Sequence, residues 1–113
     1  MTSTATVLIP EQRVASSQTT IYTSPVSGRG TWIDKFTACN TTAGAVTISV
    51  NLVVTAGSAS DSNKVVSAKS LAAGETYTFP ELVGKFLAAG SFISWIASAA
   101  TSLTAGANGR ELT

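Results

Sequence analysis

The chain has 113 residues, seven Lys and Arg against six Asp and Glu, and a formal charge of +1. That length suits one domain over residues 1–113 with a core of its own, since a chain of this size buries roughly two-thirds of its unfolded surface. Apolar content is too high and net charge too low for the disordered class. The basic residues Arg13, Arg29, Lys35, Lys64, Lys69, Lys85 and Arg110 are scattered along the chain, so no nucleic-acid partner is expected unless folding gathers them.

Eight short β segments are predicted, giving an all-β, compact two-sheet sandwich or a jelly-roll-like barrel. Thr4 to Ile9 forms the first and stops at Pro10, which has no N–H for a ladder. Glu11 to Ser17 is a polar link, and Gln18 to Thr23 is a β-branched second strand ending at Ser24-Pro25. Val26 to Gly30 reads as an exposed loop. Thr31 to Cys39 is the third strand, with Trp32, Phe36 and Ala38 on one side; Asp34 shares their parity, so either a bulge intervenes or Ile33 marks the core face.

Asn40 to Gly44 carries turn chemistry, and Ala45 to Thr55 is the longest strand. Its period-two alternation puts Val46, Ile48, Val50, Leu52 and Val54 on one face as the expected core. Ala56 to Asn63 is a polar loop, Lys64 to Leu71 the fifth strand, and Glu75 to Phe79 the sixth. Glu81 to Ala89 fits either a helical turn, with Leu82 and Phe86 at helical spacing, or an irregular crossover. Ser91 to Ala99 is the seventh strand and Ser102 to Leu112 the eighth, the latter weakened by Gly106 and Gly109. Phe92 and Ile96 alternate against Ile93, Trp95 and Ala97, which suggests burial on two sides or a subunit contact.

The sequence has no histidine, which removes the usual general base and the commonest metal ligand. Glu11, Asp34, Asp61, Glu75, Glu81 and Glu111 form no recognisable acid pair, so no catalytic residue, cofactor site or metal site is expected. Ser60 to Asn63 is rich in oxygen ligands but lacks the several carboxylates of a calcium loop. Cys39 is the single cysteine and reads as a small strand residue. Trp32, Tyr22, Tyr77 and Trp95 offer the aromatic faces of a carbohydrate module, though aromatics in small domains usually fill the core. No apolar run reaches the ~20 residues of a membrane span, and MTSTATVLIPEQR lacks the features of a signal peptide, so synthesis in a cytoplasm is expected.

CNTTAGAVTISVNLV, followed by SLAAGETYTF and LAAGSFISWIAS, resembles small accessory proteins encoded among bacteriophage virion genes. The resemblance covers roughly Thr19 to Leu112 and implies a head decoration or cement protein, or a small tail or head-tail component. It further implies a non-enzymatic virion protein made in the host cytoplasm and bound to major capsid protein, often as a homo-oligomer, with a trimer or dimer expected here. The arginine-rich arms that would anchor a cement protein are absent, and the expected contact residues are Arg13, Arg29, Phe92 and Trp95.

Overall fold

The computed structural model describes residues 2–113 and is all-β. Its described strands are β1 (Ser3–Arg13), β2 (Thr19–Thr23), β3 (Gly30–Asn40), β4 (Val46–Val53), β5 (Lys64–Leu71), β6 (Thr76–Tyr77), β7 (Phe86–Leu87), β8 (Phe92–Ala97) and β9 (Leu103–Leu112). One antiparallel sheet runs β1-β9-β3-β6, with β7 also on β3, and the other runs β2-β8-β4-β5.

This order is that of one long hairpin rolled up. The chain turns back on itself between β4 and β5, and the arms then pair outward as β4 with β5, β3 with β6, β2 with β8 and β1 with β9. Alternate pairs land in opposite sheets, and the contacts β3–β9 and β4–β8 close each sheet. With the two-residue β7 set aside, this is the jelly-roll arrangement. The two inner faces enclose one core that includes Ile33, Phe36, Ile48, Val50, Leu71, Ile93, Trp95 and Leu103.

Several elements depart from the sequence reading. Pro10 does not end the first strand, because β1 is an edge strand and continues to Arg13 through a register shift between Ile9 and Gln12. An edge needs no second ladder, so the missing N–H is tolerated there. Val54 is not core: β4 ends at Val53, the chain turns with Gly57 N–H donating to Val54 O, and Val54 is 70% exposed. Leu52 is partly buried, while Asn51 and Val53 are buried on the opposite side. Ser58 to Asn63 folds over that side, where Asn51 Nδ2 donates to Ser60 O and Asn63 Oδ1.

In β3 the bulge and the core-facing Ile33 occur together, and Trp32 is a correction, because it lies on the outer face and not with Phe36 and Ala38. Ile33 faces the core with Phe36, and a bulge at Asp34 restores the parity. The sixth strand is shorter than expected, since Phe79 leaves it with φ of 44°. The Glu81–Ala89 region is irregular. Two tight turns, Leu82 N–H to Phe79 O and Lys85 N–H to Leu82 O, precede β7, and Leu82 is buried while Phe86 is exposed. Gly106 and Gly109 do not weaken β9, the strand paired on both sides by β1 and β3. A Cβ at Gly109 would lie 2.0 Å from Trp32 O, so only glycine allows the neighbouring strand to approach this closely.

Candidate functional site

Two surface features are built by the fold, and a third lies between the sheets. The first depends on a pair of bulges that bracket Asn108 in β9. On the β3 side, Asp34 is the extra residue between Ile33, opposite Gly109, and Lys35, opposite Asn108. On the β1 side, Leu8 is the extra residue between Val7, opposite Asn108, and Ile9, opposite Ala107. Bulges bend a strand and re-aim its side chains. Here they border a depression of about 320 Å³ lined by Ala5, Thr6, Val7, Asp34, Asn108 and Gly109.

Asp34 stands at the wall of this depression in a two-pronged ion pair. Arg110 Nε donates to Oδ2 at 3.0 Å and Nη2 donates to Oδ1 at 3.0 Å. The carboxylate raises the guanidinium pKa further above its already high ordinary value, by hydrogen bonding and then by charge. Trp32 lies directly across from Arg110 in the β3–β9 ladder. Its ring packs at 4.8 Å on Phe86, which covers Gly30; a Cβ there would meet the Phe86 ring.

The second feature is an apolar end. Val26 and Val54 are 79% and 70% exposed, and Phe86 is 42% exposed. A cleft of about 190 Å³ between the end of β4 and β7 is lined by Leu52, Val53, Val54, Phe86, Leu87 and Ala88, with Ser91 at its base. Val26 joins the same end, because its side chain and that of Thr55 both approach Gly90.

The third feature is a hydroxyl chain at the mouth of the sandwich. Ser24 and Thr31, both fully buried, share a hydrogen bond of 2.7 Å, and Thr31 meets the Tyr22 hydroxyl at 2.9 Å. Tyr22 in turn donates to Glu111 Oε2 at 2.6 Å. Burial, and then the hydrogen bond to Glu111, push the phenol pKa up to about 12. A neutral phenol that donates to a carboxylate, with hydroxyl neighbours behind it, makes a structural clasp.

Family models, curated proteins and solved structures were all compared with this chain, and none matches it. The function therefore rests on the geometry and on the resemblance read in the sequence.

The four expected contact residues do not converge. Arg13 lies opposite Thr104 and donates to Thr41 Oγ1 at 2.6 Å, whereas the Arg29 backbone donates to Leu112 O. Thr104 and Leu112 are eight positions apart along β9, about 26 Å of extended strand, so the two arginines stand at opposite ends of that strand. Phe92 is half-buried opposite Val53. Trp95 is a correction: it is 0% exposed, packed edge-on against Phe36 at 6.1 Å, and cannot reach a partner. On β8 the inner Ile93, Trp95 and Ala97 fill the core, while the outer Phe92 and Ile96 are half-buried.

Sequence reasoning placed Val26 in an exposed loop, Val54 in the core and Phe86 in a helical turn or crossover, took none of them as a contact, and passed over Asn108 altogether. A usable signal was present in Asp34, whose parity conflict marks the bulge that borders the depression.

Proposed function

We propose that this chain is a non-enzymatic structural protein of a phage virion that attaches to the outside of the head and reinforces contacts between capsid subunits. The observation that carries the adhesive part of this reading is the apolar end formed by Val26, Val54 and Phe86 around the β4–β7 cleft. Isolated exposed valines are ordinary, but several around one cleft offer an interface core. The charged groups are dispersed or paired among themselves, as in Arg110 with Asp34 and Lys64 with Asp61. Attachment by packing and neutral hydrogen bonds suits that distribution. Double-sheet jelly rolls also recur in viral coat proteins, although the fold is shared with lectins and other functions.

The partner in this reading is the major capsid protein, met by a small homo-oligomer, a trimer or dimer. Repetition over a lattice then adds avidity to a modest single contact. In this reading neither nucleic acid nor a membrane is a partner.

Mass spectrometry of purified virions with copy-number calibration tests the proposal. Hundreds of copies per particle support a head lattice. About six or twelve copies would move the protein to a tail or connector of matching symmetry, and none would remove it from the virion.

A further inference from the structure

We propose that the depression between the two bulges binds a neutral sugar residue. This is independent of the virion assignment: either can fail while the other stands.

Four properties of the site point to a sugar. The first is shape. An open hollow of about 320 Å³ on a sheet face sits at the lower end of the roughly 300–1,000 Å³ of small-ligand sites, enough for one ring and too shallow to enclose an apolar molecule. The second is charge. The one charged residue in the lining, Asp34, is already joined to neighbouring Arg110 in a two-pronged pair, so the site attracts neither an anion nor a cation strongly. A neutral ligand brings no charge of its own to be desolvated there.

The third is the pattern of donors and acceptors. The Asp34 carboxylate can accept further hydrogen bonds beside those from Arg110, and Arg110 Nη1 retains its own hydrogens. Exposed Asn108, on the facing strand, adds an amide that both donates and accepts. A fixed acceptor next to a fixed donor matches neighbouring hydroxyls of a sugar, each of which does both. The ion pair also holds the carboxylate still, so little side-chain entropy is lost on binding.

The fourth is an apolar flank. Trp32 and Asp34 leave β3 on the same outer side, with buried Ile33 between them, about 7 Å apart along the strand. Trp32 stands outside the lining, across from Arg110, with its ring held by Phe86; an aromatic surface on the same outer face suits the C–H face of a sugar ring that reaches it. Gly109 is part of the lining, and a side chain there would strike the Trp32 carbonyl and the buried Leu8 side chain. Two bulges therefore border one shallow hollow whose single charged lining residue is already paired.

The test is a nuclear magnetic resonance titration of the labelled full chain with the methyl glycosides of glucose, galactose, mannose and N-acetylglucosamine. At least one should give saturable shifts confined to Ala5–Val7, Asp34, Asn108, Gly109 and the Trp32 indole. Asn108→Ala and Asp34→Asn should each weaken binding roughly tenfold, with the rest of the spectrum showing an unchanged fold. Val83→Ala, at an exposed valine outside the hollow, should bind like the wild type. Absence of saturable shifts with all four glycosides overturns the proposal, as do shifts centred elsewhere or undiminished by Asn108→Ala. Galacturonic acid is the charged comparison: tighter binding than methyl galactoside would make the hollow an anion site of Arg110 and would also overturn it.

Discussion

The Tyr22 hydroxyl donates to Glu111 Oε2 at 2.6 Å and so ties β2 in one sheet to β9 in the other. The two residues are 89 positions apart in sequence, and their contact closes the mouth of the sandwich beside buried Ser24 and Thr31. With the phenolic proton committed to the carboxylate, Thr31 is left to donate to the Tyr22 oxygen and Ser24 to Thr31. The chain of hydroxyls then points one way, toward the negative charge, and each bond polarises the next.

This clasp makes stability depend on alkaline pH. The unfolded chain releases the Tyr22 proton near pH 10, whereas the folded chain keeps it until about pH 12, because of burial and then the bond to Glu111. Its stabilising contribution is therefore complete below pH 10 and is lost as pH rises through that window. Tyr22 is partly open to solvent, which reduces the effect to on the order of 1 kcal/mol. Urea denaturation across this range should show the decline in the wild type and a shallower one in Tyr22→Phe. Equal slopes would show that the clasp does not hold the proton.

The core prediction separates two valines that a simple alternation would treat alike. Val50 is 0% exposed between the sheets, so Val50→Asp should destabilise the fold by several kcal/mol through a buried, unpaired carboxylate. Val54 lies just past the strand end and is 70% exposed, so Val54→Asp should change stability by about 0.5 kcal/mol or less. Denaturation midpoints of the two variants check the assignment. Comparable losses in both would mean that the turn after Val53 is packed more deeply than its exposure indicates.

That contrast also marks how far the sequence could be read. Alternation located Val46, Ile48 and Val50 because an unbroken β pattern keeps its phase while the strand lasts. It failed at Val54 because the phase means nothing once the chain turns. Pro10 was read as a stop because its cost depends on whether β1 lies at an edge, which only the whole topology decides. Asp34 was legible as a conflict and became a bulge. Asn108 carried no local signal, since its setting comes from bulges in two strands distant in the chain. Trp95 was ambiguous for a related reason: alternation gives β8 two apolar sides and does not say which one faces the other sheet.

Trp95→Ala should unfold or nearly unfold the protein. The side chain is fully buried against Phe36, and truncating a core tryptophan costs about 3–5 kcal/mol. Its Nε1 has no hydrogen-bond partner among the described residues, so Trp95→Phe removes a buried unpaired donor as well as volume. Thermal unfolding should therefore place Trp95→Phe much closer to the wild type than Trp95→Ala. Similar losses in both would assign the value of this residue to its indole N–H.

Gly109→Ala should be costly although it adds one methyl group. The new Cβ would lie 2.0 Å from Trp32 O and 2.7 Å from Leu8 Cδ1, and the backbone carbonyl has no rotamer by which to escape. The ladder between β3 and β9 must part locally, for a loss of about 1–3 kcal/mol or more. Faster hydrogen exchange at amides around Ile33 and Asn108, together with a lower melting temperature, is the expected result. Wild-type exchange in this variant would show that the strands are free to move apart without penalty.

Attachment to the virion, on the proposed reading, should follow packing and not charge. Exposed ion pairs weaken beyond a Debye length of about 10 Å at 0.1 M salt, whereas apolar burial persists in sodium chloride and is weakened by urea. Particles washed in sodium chloride at about 1 M, where that length shrinks to about 3 Å, should keep the protein. Urea should release it before the major capsid protein. The double variant Val26→Asp/Val54→Asp places two carboxylates on the apolar end at exposed positions, so it should fold normally yet fail to bind particles that lack the wild-type protein. Arg13→Ala and Arg29→Ala alter exposed residues near opposite ends of β9 and should leave binding within about threefold. Release by sodium chloride with retention in urea would reverse the order and assign attachment to a charged anchor, and undiminished binding by the double valine variant would remove the apolar end from the contact.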